Sequence, residues 1–190
     1  CTNTDVGLIT IKLDDNLDTL WTRNYPEFGP GHAIKSTVNN DFVICGSEYS
    51  EGYIIKINNL GEIIWDTKVL EDVDNYCKDI QISENGDYAV VTNLQQFRTQ
   101  SKAKLNIISS NGGRKDNIYI GEDKLNSINI INNNQYLLAG ITNIESSITG
   151  DFWLVKLNSS YQKLFNKSFN IGEDDAAHKH LSQPGQRGSR

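Results

Sequence analysis

The sequence predicts an all-β protein: a β-propeller-like array of four-stranded antiparallel blades, about three and a half to four repeats, forming an incomplete ring. Three observations predict it. Markers recur at a nearly fixed spacing, with 44 residues from Lys12 to Lys56 and from Trp21 to Trp65, 46 from Phe42 to Tyr88 and 48 from Tyr88 to Tyr136. Clusters of Asn, Gly, Asp and Ser punctuate the chain every 8–12 residues or so, as short strands require. Apolar residues almost nowhere follow a helical period, while Ile, Val, Tyr and Thr dominate. A unit of that length with four strands is in the range of propeller repeats.

The elements follow in order. In the first unit, strands are expected over Gly7 to Leu13, Thr19 to Tyr25, His32 to Val38 and Asp41 to Ser47. In the second they run Gly52 to Ile57, Glu62 to Val69, Lys78 to Ser83 and Asp87 to Thr92. The third has Lys104 to Ser109, Asn117 to Ile120, Ser127 to Ile131 and Gln135 to Ile141. The fourth begins with Phe152 to Leu157 and Lys163 to Phe169, and then the pattern is lost. The approximate units are 6–50, 51–100, 101–150 and 151–178, with a polar N-terminal tether at 1–5 and a tail at 179–190.

Recurring positions carry physical meaning. Asn58-Asn59-Leu60-Gly61 and Ser109-Ser110-Asn111-Gly112 place Gly where a tight hairpin needs positive φ. The fourth unit has Tyr161 there, a departure that changes or strains the turn. Trp21, Trp65 and Phe165 recur on one strand and are expected to pack between neighbouring sheets, although tryptophans in a row also suit sugar stacking. The third unit has Asp116 at this position, so its contact with the next blade is expected to be weaker. Lys12, Lys56 and Lys156 recur between apolar neighbours and point to the opposite strand face, a solvated or snorkelling row rather than a binding ring.

Composition limits the function classes. The chain has 190 residues, 37% apolar, with net charge -6. That acidity disfavours a broad nucleic-acid or anionic-membrane surface, which would need clustered Lys and Arg. Three cysteines cannot all pair. Cys45 and Cys77 lie in strand-like segments and read as small buried apolar residues, with a Cys45–Cys77 disulfide as the open alternative. Cys1 followed by Thr2-Asn3-Thr4-Asp5 matches the start of a mature bacterial lipoprotein, so Cys1 is expected to be a lipid attachment site, an arbitrary chain boundary being the alternative.

The segment Asp151-Phe152-Trp153-Leu154-Val155-Lys156-Leu157-Asn158, followed by Gly172-Glu173-Asp174-Asp175-Ala176-Ala177, resembles a bacterial repeat of secreted and surface propeller proteins. In that repeat an aromatic-rich strand ends Val-Lys-Leu-Asp, an Asn-Gly turn leads to a Trp strand, and a Gly-rich acidic loop precedes a strand ending Ala-Gly. Tyr136-Leu137-Leu138-Ala139-Gly140 and Phe42-Val43-Ile44-Cys45-Gly46 are similar to that last strand. Gly61 and Trp65 give a distant likeness to quinoprotein-type propellers, whose quinone-binding residues have no counterpart here. The resemblance implies blades at about 41–83, 86–132 and 135–179, with residues 6–38 forming three strands that lack the innermost one. It also implies a bacterial, extracytoplasmic location, as an outer-membrane or cell-surface lipoprotein or a secreted protein. Residues 179–190 lack alternation, turn basic and read as disordered or foreign to the repeat.

No catalytic constellation is visible. His32, His178 and His180 are the only histidines, and no Cys/His set has zinc spacing. The acidic runs Asp14-Asp15-Asn16-Leu17-Asp18, Glu71-Asp72-Val73-Asp74 and Glu173-Asp174-Asp175 lack the EF-hand pattern. No cofactor is expected; calcium in one of these loops is the only candidate. Asn158-Ser159-Ser160 and Asn166-Lys167-Ser168 fit the glycosylation sequon and are idle in a bacterial protein. The expected function is a non-catalytic binding or scaffolding domain for a protein or glycan, with Tyr25, Phe28, His32 and Trp153 as the candidate face. The alternative is a fragment of a propeller hydrolase or lyase whose catalytic residues lie in other blades. No nucleic acid partner is expected, membrane contact is expected only through the lipid, and open sheet edges favour self-association.

Overall fold

The computed structural model describes residues 7–69, 74–96, 100–142 and 150–169. The tether, Cys1, His178, His180, the acidic run at 173–175 and the tail lie outside the described residues. Fourteen strands are described. A two-stranded sheet comprises β1 (Leu8–Leu13) and β2 (Thr19–Tyr25). A first four-stranded sheet comprises β3 (Gly31–Ser36), β4 (Phe42–Glu48), β5 (Glu51–Ile57) and β6 (Ile63–Val69). A second comprises β7 (Asp74–Ile82), β8 (Tyr88–Gln96), β9 (Gln100–Ile108) and β10 (Arg114–Gly121). A third comprises β11 (Lys124–Ile131), β12 (Gln135–Ile141), β13 (Phe152–Leu157) and β14 (Lys163–Phe169). Every pairing is antiparallel between strands consecutive in sequence, which makes each sheet a meander.

The sheets stack face to face, and period-2 alternation of their central strands builds the core. Ile44 and Tyr53 pack back against Leu8 and Tyr25 of the two-stranded sheet. Val43, Cys45 and Ile54 pack forward against Cys77, Ile80, Tyr88 and Val90. Ala89, Val91 and Leu105 continue forward onto Leu125, Leu138 and Val155. Such strands are buried on both faces, which is why Phe42-Val43-Ile44-Cys45 and Ala89-Val90-Val91 read as continuous apolar runs. Strands β6, β10 and β14 show mostly exposed patterns and form the outer edge. Strands β3, β7 and β11 pack beside one another on the inner side. Among the described residues the array is a propeller arc, not a closed ring.

The blade phase differs from the one implied by the resemblance. Blades run 31–69, 74–121 and 124–169, each starting one strand earlier than 41, 86 and 135. The repeat units 6–50, 51–100 and 101–150 therefore each straddle two sheets. The strand at 31–36 pairs with β4, so residues 6–38 are not three strands of one blade. Markers place β1 with β5 and β13, the third strands of their blades, so β1 and β2 are the outer half of a blade.

A bulge explains the Ala-Gly signature. In β3, β7 and β11 one extra residue interrupts the ladder, between Gly31 and Ala33, Cys77 and Asp79, and Leu125 and Ser127. Gly46 and Gly140 sit opposite two of these bulges. A Cβ on Gly140 would lie 1.9 Å from the Lys124 carbonyl oxygen, and one on Gly46 would lie 2.3 Å from that of Pro30. The bulged strand bends onto its partner, and only glycine leaves room. In the middle blade Thr92 takes this place, its Oγ1 accepting a bond from Asn106 Nδ2 at 2.9 Å.

Cys45 and Cys77 are both buried and no disulfide joins them. Burial pushes the Cys77 thiol well above its usual range.

Candidate functional site

The blade junctions repeat one arrangement, and the site lies where it changes. Direct cross-strand partners are Lys12 and Trp21, Lys56 and Trp65, and Lys156 and Phe165. Paired residues share a sheet face. Trp21 donates Nε1–H to the Asn59 carbonyl at 3.0 Å, and Trp65 donates to that of Ser110 at 3.2 Å. Each tryptophan thus reaches the hairpin turn of the following blade. The turn glycines make room: a Cβ on Gly61 would lie 3.2 Å from the Trp21 ring, and one on Gly112 would lie 2.9 Å from Trp65. Both glycines have positive φ, +78° and +89°. Trp65 also meets Tyr88, ring centroids 5.6 Å apart.

At the third junction the roles are exchanged. The outer strand β10 presents Asp116, paired with Ile107, in place of the tryptophan. The turn between β13 and β14 presents Tyr161 in place of glycine, with φ +62°. The turn tolerates it because Asn158 Oδ1 accepts the backbone N–H of Ser160 at 3.0 Å and of Gln162 at 2.9 Å, which fixes the loop. Tyr161 stacks on Tyr136 with centroids 5.6 Å apart, as Trp65 does on Tyr88. Its hydroxyl donates to Asp116 Oδ2 at 3.3 Å. The aromatic now comes from the turn of the same blade, and a cleft of about 150 Å³ remains.

Asp87, Lys115, Asn134, Tyr136, Ser159 and Tyr161 are among its lining residues. Lys115 Nζ holds Asp87 Oδ2 at 2.7 Å, and Asn85 Nδ2 donates to the same oxygen at 2.9 Å. That bond with Asp87 raises the Lys115 ammonium above its ordinary pKa. Burial, then Tyr136 and Asp116, pushes the Tyr161 hydroxyl far above its ordinary value, and burial raises Tyr136. Asn134, at φ +52°, has a buried Oδ1 with no hydrogen-bond partner. Two side-chain-bearing residues in left-handed conformation therefore border one cleft, and backbone strain of this kind gathers at binding sites. The lining offers hydroxyls, amides, one balanced ion pair and an aromatic face. Among the described residues no three Cys, His, Asp or Glu side chains form a metal-binding cluster.

The four residues singled out from sequence lie elsewhere. Tyr25 is buried and donates its hydroxyl to the Gly61 carbonyl at 2.7 Å. Phe28 is buried 5.0 Å from the Tyr53 ring. Trp153 is 2% exposed and donates Nε1–H to Asn166 Oδ1 at 2.6 Å. These three side chains pack in the buried clusters, and Tyr25 and Trp153 each also find a partner for their polar atom. His32 is exposed, with Nδ1 directed at the Cys77 carbonyl of the next blade. The structure does not bring the four together. Nor is the lysine row a ring: Lys56 pairs with Asp41 at 3.2 Å, and Lys12 lies on the Phe42 ring and Asn59. In the acidic run at 14–18, Asp14 Oδ1 caps its own turn, accepting from the N–H of Asn16 and Asp18. In the sequence this cleft shows only as two separate departures from the repeat, Asp116 and Tyr161, which lie 45 residues apart and meet in the fold.

No family model matches the chain, and no curated protein matches it. Solved structures do. A protein of unknown function from Bacteroides caccae superposes with TM-score 0.59 at 16% identity, over 86% of this chain and 54% of its own. The subtype N10 neuraminidase-like protein of A/little yellow-shouldered bat/Guatemala gives TM-score 0.56 at 12% identity, over 85% and 50%. The chain spans about half the length of these structures. At such identities the likeness establishes a propeller-type fold and nothing further.

Proposed function

We propose that this chain is a non-catalytic binding module whose third blade junction takes a small hydroxyl-rich group, one sugar residue of a glycan. The observation that carries this reading is the exchange of Trp and Gly for Asp116 and Tyr161. It turns a filled junction into a cleft with the side chains that bind hydroxyls. A volume of about 150 Å³ is that of roughly five waters at liquid density, suited to one ring and not to an oligosaccharide. The Tyr161 face suits a sugar ring, while Asn134, Ser159 and the Asp87–Lys115 pair suit its hydroxyls. The resemblance to secreted and surface repeats supports an extracytoplasmic setting, where glycans are met; fractionating source cells tests that part.

The test is saturation-transfer NMR with a panel of monosaccharides, followed by titration of Tyr161→Ala and Lys115→Ala. Binding of at least one sugar, weakened roughly tenfold or more by either substitution, is expected. A panel without a binder, or a binder indifferent to both substitutions, overturns the reading. Release of reducing ends from a bound glycan would instead mark an enzyme.

A further inference from the structure

A groove lies at the first junction, between β1 and β3, and one comparison along the array gives it meaning. Ile34, Ile80 and Ile128 hold the same place in β3, β7 and β11, just beyond the bulge. Ile80 is 0% exposed, in a cluster with Val43 and Cys45 of the blade before it. Ile128 is 1% exposed, in a cluster with Ala89 and Val91. Ile34 is 53% exposed. The second strands β4 and β8 cover the two buried isoleucines. The sheet before Ile34 comprises β1 and β2, and among the described residues no strand pairs with the inner edge of β1. The groove there has a volume of about 300 Å³, and Leu8, Ile9, Ile11, Ile34 and Ile44 are among its walls. Among the described residues no charged side chain lines it. The Thr10 hydroxyl, also in the lining, is buried with no hydrogen-bond partner.

The complete blades show what fits such a place. On β5, residues Ile57, Lys56, Ile55, Ile54 and Tyr53 face Phe42, Val43, Ile44, Cys45 and Gly46 of β4. Lys12 and Trp21 pair as Lys56 and Trp65 do, so β1 takes the same register. A strand beside β1 then sets an aromatic residue opposite Leu13 and aliphatic ones opposite Lys12 and Ile11. A small residue follows opposite Thr10, and Gly or Thr opposite Ile9. The next position is polar in two blades and ties the strand to the following one. Ser47 Oγ accepts the Cys77 N–H at 3.2 Å. Asn93 accepts the Leu125 N–H and donates to the Leu125 carbonyl, both at 2.8 Å. Gly31 is the matching residue of β3, since it opens the bulge as Cys77 and Leu125 do. In strand addition the main-chain bonds supply affinity and the alternating side chains supply selection.

We propose that this groove takes an extended segment of a protein partner, added antiparallel to β1. Its sequence reads aromatic, aliphatic, aliphatic, small, Gly or Thr, then Ser or Asn. The segment covers Ile34 as β4 covers Ile80, and its last side chain bonds the Gly31 backbone. The groove shares no lining residue with the Tyr161 cleft, so neither substitution that tests that cleft touches it.

The test is titration of the dilute protein, followed by two-dimensional NMR, with the capped peptide Asp-Tyr-Ala-Val-Val-Thr-Asn, the sequence of residues 87–93. The controls are the same residues in scrambled order, and a copy N-methylated at the amides that would face β1, which removes the donors a ladder needs. The peptide is expected to shift β1 and Ile34 and to slow exchange of the outward amides of β1. It is also expected to disperse any association of the protein through that edge. Ile34→Lys is expected to weaken binding tenfold or more, and Ile64→Lys, exposed outside the groove, to leave it unchanged. No shift, shifts confined to other strands, or equal binding of either control overturns the proposal. Outward amides of β1 that are protected before peptide is added to the dilute protein also overturn it, since another part of this chain then holds the edge. Association that the peptide does not disperse makes a second copy the occupant and overturns it too.

Discussion

Tyr161, in a hairpin turn, donates its hydroxyl to Asp116 on the outer strand of the preceding blade, at 3.3 Å. The two residues occupy the places that Gly and Trp hold at the other junctions, so they behave as one unit. Asp116→Trp alone would drive an indole into the Tyr161 ring. Tyr161→Gly alone would relieve the strained φ but lose the contact with Tyr136, worth about 0.5–1.5 kcal/mol beyond its buried area. The double substitution rebuilds the arrangement of Trp65 and Gly112. Urea denaturation of the two single variants and the double is expected to give a favourable coupling of about 1–3 kcal/mol, and additive effects would dissolve the pairing.

Tyr136 and Tyr161 also set an alkaline limit. Both hydroxyls are raised above the ordinary tyrosine value of 10.0 by burial first. The folded state holds these protons more tightly than the unfolded chain. Their contribution is complete below about pH 10 and is lost as pH rises from there toward the folded values. Stability between pH 10 and 12 or so should fall less steeply in Tyr161→Phe than in the wild type. Absorbance titration should show Tyr136 and Tyr161 ionising late, together with Tyr53 and Tyr119, whose hydroxyls burial also raises.

Asp79 joins two blades. It is 1% exposed; its Oδ2 accepts from Ser127 Oγ at 3.0 Å and Ile128 N at 3.2 Å, and its Oδ1 from Ile80 N at 2.9 Å. Replacing it with Ala leaves these buried donors without an acceptor, at a cost of about 2–4 kcal/mol. Asp79→Asn retains acceptors on one side only and should fall between. Chemical denaturation measures both, and a cost under about 1 kcal/mol for Ala would mean that water replaces the carboxylate.

Among the described residues β1 pairs with β2 along one edge only, and Ile9, Ile11 and Leu13 are exposed on one of its faces. An open, apolar strand edge recruits other chains. Sedimentation of this 190-residue chain should show concentration-dependent association, and Ile11→Lys should reduce it. A wild type that stays monomeric at high concentration would refute this.

The turn between β4 and β5 shows how far local sequence carries. The sequence predicts strand ends at Ser47 and Gly52, one residue short of Glu48 and Glu51 on each side, and Tyr49-Ser50 lacks the Asn-Gly chemistry that suits its backbone, so the positive φ at both residues appears only in the structure.

The chain's own order of residues determined the strands, their period and the turn glycines, because side-chain alternation and positive φ are local demands. It also carried the exchange of Trp and Gly for Asp116 and Tyr161, as two isolated departures. Tertiary structure decided the rest. Whether the strand at 31–36 pairs forward with β4 or back with β2 depends on which sheet the chain enters, and both neighbouring connections read as turns. Whether Tyr25, Phe28 and Trp153 face solvent or core depends on a neighbouring blade lying against them. The cleft exists only because residues 45 apart, Asp116 and Tyr161, meet across a junction that hydrogen bonding and packing between separate sheets bring together.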